Sequence, residues 1–426
     1  MKNPIKHLAH WGLVLVLLLP LCAAVHAGEG DTLQVSGFGT LGVAQDDRQD
    51  MATLRDFSQR PHDGSQTGPS WQLDTRLGVQ MEYRINPGTA LVGQVVARDR
   101  AQNNSGDAVE LAYLALQPVP QLGVRLGRFG YDAFLMSDHR HVGYAYNWVR
   151  PPGEFYSWIP IFSVDGLDGT YRFDTEDAQW SVKAQAGVSR VGVPIGTAIF
   201  DFETRSLRSL SVTRQSDLWR LKAAYSEFGV DSEVTALEPL RAGLEKIASA
   251  TQKFFPNISA EAADLSRQLV FQGTRVSYAT LGTVYDDGRW FAQAELGRAT
   301  STSSIGTSGN MAYVGAGRRW GDWAAFARYS VAQQGNTLRS ASADWRVLGL
   351  QNVQAKAIGA LNAARIDQAT LSLGGRWDFH KQAALKLQWD ATQVKPYGYA
   401  LWWHDEQIGA SASRVNLLSA TVDFVF

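Results

Sequence analysis

The feature that most constrains the fold is a repeated alternation of apolar and polar residues along the chain. The C-terminal segment shows it most clearly, because its alternate residues are apolar at Leu418, Ala420, Val422, Phe424 and Phe426. The residues between them are Ser419, Thr421, Asp423 and the one departure, Val425. Successive side chains of a β-strand point to opposite faces. The pattern therefore predicts a strand with one apolar and one polar face.

The same alternation recurs in five other segments of the chain. These segments are residues 71–85, 180–189, 219–226, 371–379 and 385–390. A soluble β-sandwich would show the same pattern, with its polar faces turned toward water. The alternation thus predicts an all-β protein but leaves open whether water or lipid covers its outer surface.

The lengths of the connections decide between these two classes. Short turns are predicted at 86–88, 118–120, 176–177, 215–217, 286–288, 321–322 and 380–381. Longer connections lie between them, at roughly 44–70, 101–107, 132–164, 191–203, 229–271, 301–309, 333–366 and 394–411. Strict alternation of short and long connections is typical of a membrane barrel, with short turns on one side and long loops on the other. We therefore expect a transmembrane antiparallel β-barrel of about sixteen strands with long external loops.

Aromatic content and net charge agree with this architecture. The chain contains 14 Trp, 14 Tyr and 18 Phe, and its formal net charge at pH 7 is −1. A nearly neutral chain offers no electrostatic basis for binding a nucleic acid. Aromatic residues near strand ends would form the girdles where a barrel meets the membrane interfaces. The candidates are Trp71, Tyr83, Trp180, Trp219, Trp290, Trp323 and Trp377.

The first 27 residues have the features of an export signal. Lys2, Lys6 and His7 precede an apolar run from Trp11 to Leu21, and small residues follow up to Ala27. The apolar run is too short to span a bilayer as a helix. Cys22 suggests a lipoprotein as an alternative, although Leu21 is larger than a lipoprotein cleavage site normally tolerates. We expect a signal peptide at 1–27 and a barrel domain at 28–426, so the mature chain would contain no cysteine.

A barrel of sixteen strands has a lumen too wide for side chains to fill, so it predicts an aqueous channel. The sequence also resembles the general diffusion porin superfamily of Gram-negative bacteria, which comprises sixteen-stranded trimeric outer-membrane porins. The resemblance rests on Val35-Ser36-Gly37-Phe38-Gly39-Thr40-Leu41-Gly42, on Val124-Arg125-Leu126-Gly127-Arg128 and on the terminal Phe426.

The resemblance implies a location in the outer membrane, in contact with its lipid. It further implies a homotrimer in which the third loop of each barrel folds inward and narrows the pore. The aromatic end of the chain, Phe424 and Phe426, resembles the signal that the barrel assembly machinery recognises. The chain differs from the family pattern in two ways, because its third loop lacks an obvious acidic run and its fifth loop is unusually long.

The third long connection is the predicted pore constriction. Its carboxylates Asp138 and Glu154 would face an arginine cluster across the pore. We expect that cluster to consist of Arg76, Arg98, Arg125 and Arg172. Alternatively, the aromatic residues of this connection attach it to the wall and its charges satisfy one another.

The predicted lumen carries more basic than acidic side chains, which favours a weak preference for anions. Pairing across neighbouring strands would cancel this excess. The assigned basic residues are Arg76, Arg84, Arg98, Arg100, Arg125, Arg172, Lys183, Arg220, Lys222, Arg275, Arg328, Arg376 and Lys386. The assigned acidic residues are Asp74, Glu82, Glu110, Asp174, Glu295, Asp378, Asp390 and Asp423.

These features predict a porin for passive diffusion of small hydrophilic solutes and ions. The alternative is a channel specific for phosphate, dicarboxylates, sugars or aromatic acids. We expect no enzyme, because the neighbouring Ser137, Asp138 and His139 rarely converge as a catalytic triad when they are adjacent in sequence. We also expect no cofactor and no metal, since His139 and His141 lack a third ligand. Residues 236–253 predict a short amphipathic helix within the fifth loop.

Overall fold

The computed structural model describes residues 32–59, 68–101, 105–195, 198–404, 409 and 411–426. The predicted signal peptide at 1–27 lies outside these residues. None of the described helices is long and apolar enough to cross a membrane.

Sixteen strands form one closed antiparallel barrel in which each strand pairs with the next along the chain. The first strand also pairs with the last, through Phe38 opposite Val425 and the positions that follow. The predicted all-β barrel of sixteen strands is therefore confirmed. The barrel strands are β1 (Leu33–Asp46), β3 (Arg76–Asn86), β4 (Thr89–Arg98), β5 (Val109–Val119), β6 (Leu122–Gly130), β7 (Ser163–Asp174), β8 (Gln179–Val188), β10 (Ala198–Gln215), β11 (Trp219–Val230), β12 (Arg275–Asp286), β13 (Trp290–Ser301), β14 (Gly309–Trp320), β15 (Trp323–Gln334), β16 (Ile366–His380), β17 (Ala383–Tyr399) and β19 (Ser413–Val425).

Three short strands lie outside the sixteen strands of the wall, and one of them corrects an expectation. Residues 191–203 are not a loop, because β9 (Arg190–Ile195) pairs with the outer part of β10 as a hairpin. Strands β2 (Met51–Thr53) and β18 (Trp402–His404) pair with each other above the barrel. Residues 71–75 do not extend β3, although the alternation predicted a strand there. In a strand Trp71 and Leu73 would share one face, but Leu73 is buried and Trp71 is exposed. Alternation in a connection can therefore reflect local packing instead of a wall strand.

The outer surface of the barrel is apolar. Leu210, Leu281 and Leu296 are 52%, 57% and 61% exposed, although the alternate residues of the same strands are buried. Such a continuous apolar surface is costly in water and is suited to lipid. Exposed tryptophans stand at the end of the barrel that carries the short turns, at Trp219, Trp290, Trp320, Trp323 and Trp377.

The two ends of the chain meet in one seam of the wall. The rings of Phe424 and Phe426 lie over Gly39 and Gly37 of β1, where a Cβ atom would collide with them. Both rings lie on the face of the wall that carries exposed Leu41 and Leu418. The glycines of the opening motif therefore make room for the aromatic end of the chain.

The described part of the chain contains five helices, and three of them form a cap at the loop end of the barrel. The helices are α1 (Ser105–Ala108), α2 (Gly153–Tyr156), α3 (Glu238–Thr251), α4 (Pro256–Gln268) and α5 (Gln351–Asn362), and the last three share an apolar cluster. Glu261 of α4 accepts hydrogen bonds from the backbone of Ser342 and from Trp345 Nε1 and Gln354 Nε2. The single helix predicted at 236–253 is thus one of two in the fifth loop, and the helix of the seventh loop was missed.

Candidate functional site: the barrel lumen

The connection between β6 and β7, called here the third loop (residues 131–162), folds into the lumen and is largely buried. Trp148 and Phe155 are almost fully buried against the inner faces of β14 and β15. The ring of Trp148 lies 5.0 Å from that of Phe326, and the ring of Phe155 lies 5.4 Å from that of Tyr313. Gly315 of β14 leaves the space that Trp148 occupies. The aromatic residues of the loop thus attach it to one side of the wall.

Polar side chains also fix the loop to β17 and to the residues just before β3. Arg150 donates to Asp74 at 2.6 Å and to Asp390 at 3.1 Å, and all three residues are buried. Burial alone would raise the pKa of Asp74, but the guanidinium of Arg150 holds it below its usual value. Buried charges persist only when they are paired and hydrogen-bonded in this way.

Glu154 lies on this packed side and not at the open part of the lumen. Its carboxylate accepts hydrogen bonds from Ser330 at 2.7 Å, from Gln368 at 2.6 Å and from Thr370. Since these residues belong to β15 and β16, Glu154 contributes to anchoring the loop. The sequence analysis expected this carboxylate to face the arginine cluster across the pore. The structure instead places it against β15 and β16.

Arg76 also contacts the loop and not the open lumen. Its guanidinium donates to the carbonyl oxygen of His141 at 2.6 Å and to the hydroxyl of Tyr146 at 2.9 Å. Lys386 binds the loop in the same way, through the carbonyl oxygens of Gly143 at 2.6 Å and Trp148 at 2.9 Å. Basic residues of the wall thus satisfy backbone carbonyls of a loop that has no sheet partners of its own.

The other side of the lumen, formed by β3–β8, remains open. A cavity of about 430 Å³ lies between these strands and the third loop, toward the end with the short turns. Arg125, Arg172 and Asp138 all line it. Arg125 is paired with Asp168 at 2.8 Å, whereas Arg172 is exposed and forms no ion pair with a described residue.

A second cavity of about 370 Å³ opens toward the loop end. Glu110 and Phe162 line both cavities and therefore mark the boundary between them. The guanidinium carbons of Arg98 and Arg140 lie 4.1 Å and 3.9 Å from the centre of the Phe162 ring. The two cavities are therefore adjacent, and cation–π contacts hold the aromatic residue between them.

Arg98 belongs to the boundary, but its charge is compensated. It lies 3.2 Å from Asp56 of the first connection and 3.6 Å from Glu110. Burial would raise the pKa of Asp56, but Arg55 and Arg98 hold it well below its usual value. Asp56 was missed by the sequence analysis, because it lies in a connection where alternation gives no direction to a side chain.

His141 is a neutral part of the same boundary. Its Nε2 atom lies 3.6 Å from Glu110. Burial, together with the charges of Arg98 and Arg140, holds the pKa of His141 well below its usual value. The imidazole is therefore uncharged at neutral pH, and its contact with Glu110 is not an ion pair.

The residues that line the two cavities carry an excess of positive charge. The basic residues are Arg98, Arg100, Arg125, Arg128, Arg140, Arg172, Lys183 and Arg190. The acidic residues are Asp107, Glu110, Asp138, Asp168 and Asp201. Four of the basic residues are paired with carboxylates that do not line the cavities: Arg98 with Asp56, Lys183 with Asp132, Arg128 with Asp165 and Arg190 with Glu203. Most of the excess of positive charge in the lining is therefore compensated by neighbouring residues.

Ser137, Asp138 and His139 do not form a triad. Ser137 Oγ accepts a hydrogen bond from the backbone of Phe134, and the Asp138 carboxylate lies 4.0 Å from Lys183. No hydrogen bond joins either residue to His139. Within the described ranges, no three His, Cys, Asp or Glu side chains come together in a way that could hold a metal ion.

One basic residue was assigned to the wrong face. Arg275 does not point into the lumen, since Val276 and Tyr278 of the same strand are buried on the inner side. A side chain at a strand end changes face with a shift of one residue.

The comparisons with solved structures identify the fold. The anion-selective porin from Comamonas acidovorans is 12% identical, with 92% of this chain and 99% of that chain covered and a TM-score of 0.51. The Salmonella typhi OmpF complex with daunomycin is 13% identical, with 93% and 98% covered and a TM-score of 0.49. The Rhodopseudomonas blastica porin triple mutant is 8% identical, with 92% and 100% covered and a TM-score of 0.46.

No family model and no curated protein matches this sequence. At such low identity the structural similarity shows the fold alone, a closed sixteen-stranded barrel similar to that of the anion-selective porin. The apolar exterior of the closed barrel is the surface of an outer-membrane protein.

Proposed function

We propose that this chain is an outer-membrane porin, a water-filled channel through which small hydrophilic solutes and ions diffuse passively. The observation that carries the proposal is the pair of cavities along β3–β8, which meet at Glu110 and Phe162. Because the other side of the lumen is packed, solutes would cross between the third loop and these strands. This one-sided passage would be much narrower than the full lumen of sixteen strands.

The proposed channel prefers anions weakly. Arg172, which is exposed at the cavity near the short turns and forms no ion pair with a described residue, would raise the local concentration of anions. Ion pairs such as Arg125 with Asp168 reduce this effect, so a weak preference is expected instead of strict selection. One structural neighbour is itself described as an anion-selective porin.

A substrate-specific channel is the second candidate, and the boundary between the cavities favours it. Phe162 contacts the guanidinium groups of Arg98 and Arg140 there, and arginine beside an aromatic ring is suited to a planar or carboxylated solute. A solute that binds at the boundary would block ion current at millimolar concentration, whereas a general channel would show no such block.

The experiment is single-channel recording of the purified, folded protein in planar bilayers, with the reversal potential measured under a KCl gradient. Steady conductance steps with a reversal potential displaced toward that of chloride support the proposal. Absence of steps contradicts it. Small steps that one class of solute blocks, among phosphate, dicarboxylates, sugars and aromatic acids, favour the second candidate.

Processing and assembly complete the proposal. We propose that cleavage after Ala27 yields the mature chain, which intact mass measurement of the exported protein would test. The proposed homotrimer predicts three chains per particle by native mass spectrometry. The proposed role of Phe424 and Phe426 in assembly predicts that removal of Phe426 lowers the amount of folded barrel in the outer membrane but not folding of the purified chain in detergent.

A further inference from the structure

A cavity of about 480 Å³ lies at the loop end of the barrel and is called here the cap cavity. It lies between the sixth loop (residues 302–308), the seventh loop (residues 335–365) and the end of α4. The cap cavity shares no lining residue with the two cavities along β3–β8. It is therefore a separate site, and its volume is typical of small-molecule sites.

The cap cavity stands above the packed side of the lumen and not above the candidate passage. Gln334, at the loop end of β15, lines it. Closer to the short turns, side chains of β15 and β16 donate hydrogen bonds to Glu154 of the third loop. Trp158 of the same loop packs against Gly309, the residue of β14 that pairs with Gln334. A solute in the cap cavity would thus lie over a closed part of the lumen, a position that favours binding over transit.

The lining of the cap cavity is rich in groups that form hydrogen bonds and contains no acidic residue. Eight of its side chains are hydroxyls or amides, which both donate and accept hydrogen bonds. The hydroxyls of Ser304 and Thr337 are exposed and form no hydrogen bond with a described residue. Ile305 and Leu361 add an apolar surface that belongs to the cluster of the cap. Such a lining suits a small solute that carries several hydroxyl groups.

Three amide side chains of the lining are held in place by the surrounding structure. Oε1 of Gln334 accepts a hydrogen bond from a backbone N–H of β16 at 3.3 Å, and Nδ2 of Asn336 donates to a backbone carbonyl of the sixth loop at 3.0 Å. Nε2 of Gln268 donates to Asp264 at 2.6 Å. In each amide the other polar atom forms no hydrogen bond with a described residue. These atoms are therefore positioned to bind a ligand at little cost in conformational entropy.

One arginine of the lining carries a charge that no ion pair within the described chain neutralises. Arg339 is paired with Asp264 at 2.5 Å, whereas Arg365 forms no ion pair with a described residue. Asp367, two positions from Arg365, is paired with Lys395 at 2.9 Å. Of the three guanidinium nitrogens of Arg365, only Nη1 donates to a described residue, a backbone carbonyl of the seventh loop at 2.6 Å. The cap cavity thus combines hydroxyls and amides with one uncompensated cation.

We propose that the cap cavity binds a sugar acid, a solute of monosaccharide size with several hydroxyl groups and one carboxylate. The guanidinium of Arg365 would bind the carboxylate through charge-assisted hydrogen bonds, and no acidic side chain of the lining opposes it. The hydroxyl and amide side chains would bind the hydroxyl groups of the sugar. The inference does not depend on channel activity, because the cap cavity is not part of the candidate passage. The two proposals can therefore fail separately.

The test measures binding of D-glucuronate to the full mature chain folded in detergent, by ligand-observed NMR titration. D-glucose, which has the same ring without the carboxylate, should bind at least about tenfold more weakly. R365Q should weaken D-glucuronate binding by about tenfold, and R365K should retain part of it because it keeps the charge. R346Q is the matched control, since Arg346 is an exposed arginine of the seventh loop that does not line the cap cavity. It should bind as the wild type does.

A second pair of variants tests the place of binding without removal of a hydrogen bond. Thr337→Trp puts a large ring into the cap cavity from an exposed position and should abolish D-glucuronate binding. Ser340→Trp adds the same ring at an exposed position of the seventh loop outside the lining, so its binding should equal that of the wild type. The heat-dependent mobility of each variant on a denaturing gel checks that the barrel is folded.

Each outcome supports or overturns the inference. Loss of D-glucuronate binding in R365Q and Thr337→Trp, with both controls unchanged, supports it. Absence of saturable binding by the wild type, or equal binding of D-glucose and D-glucuronate, overturns it. Loss of binding in R172Q, with R365Q and Thr337→Trp unchanged, also overturns it, because the sugar acid then binds in the passage, where Arg172 lies.

Discussion

The two sides of the lumen are built from similar strands but differ in what they contact. Along β14–β17 the third loop covers the wall, so Trp148, Arg150 and Glu154 are buried. Along β3–β8 the wall faces two cavities, where Arg172 and Asp138 remain exposed. Charged residues on the first side hold the loop, and only those on the second side can act on a passing solute. Facing the lumen is therefore not enough to make a residue part of the pore.

The largest expected effect is on stability, from Arg150→Met. This change leaves the buried carboxylate of Asp74 without its ion-pair partner and leaves Asp390 with Arg328 alone, at 3.8 Å, among the described cations, which costs about 3–5 kcal/mol of the free energy of unfolding. Arg172→Met, on the open side formed by β3–β8, is the matched control. It should change the free energy of unfolding by less than about 0.5 kcal/mol. Urea unfolding of the barrel folded in lipid vesicles measures both. Equal effects would mean that charged residues on the two sides of the lumen stabilise the barrel equally.

Gly315→Ala tests the packed side of the lumen at one contact, the one between β14 and Trp148. A Cβ atom at this position would lie 2.6 Å from the ring of Trp148, so the loop or the strand must move. We expect a loss of about 1–3 kcal/mol in the free energy of unfolding. Gly169→Ala on β7 meets nothing within 4 Å and serves as the control. If both variants are as stable as the wild type, Trp148 does not fix the loop to the wall.

Arg172→Glu tests the open side through ion selectivity. Reversal of a unit charge about 7 Å from a passing ion changes its energy by about 1.2 kcal/mol in water, which corresponds to a several-fold change in relative permeability. The reversal potential under a KCl gradient should therefore move toward that of potassium. Arg414→Glu, on the outer surface, should leave it unchanged. An unchanged potential in Arg172→Glu would exclude this residue from the passage.

The sequence predicted the barrel because alternation and turn chemistry are local properties of a strand. All seven short turns were located, since each joins strands that pair directly with each other. Alternation also assigned Arg125 and Arg172 to the lumen, where they line the cavity.

The details of the site depend on contacts that no local pattern encodes. The position of Glu154 depends on how the third loop packs, and Asp56 reaches Arg98 from a connection without regular structure. Arg275 lies at a strand end, where a shift of one residue reverses the face.

The most direct test of the one-sided passage is the accessibility of single cysteines in the conducting channel. The chain from residue 28 onward contains no cysteine, so Arg172→Cys and Ser372→Cys would each add a single thiol. Arg172 lines the open cavity, whereas Ser372 of β16 is buried and bonded to Arg328. A negatively charged methanethiosulfonate reagent should rapidly reduce the conductance of Arg172→Cys and leave that of Ser372→Cys unchanged. Equal modification of both, or modification of Ser372→Cys alone, would contradict a passage confined to β3–β8.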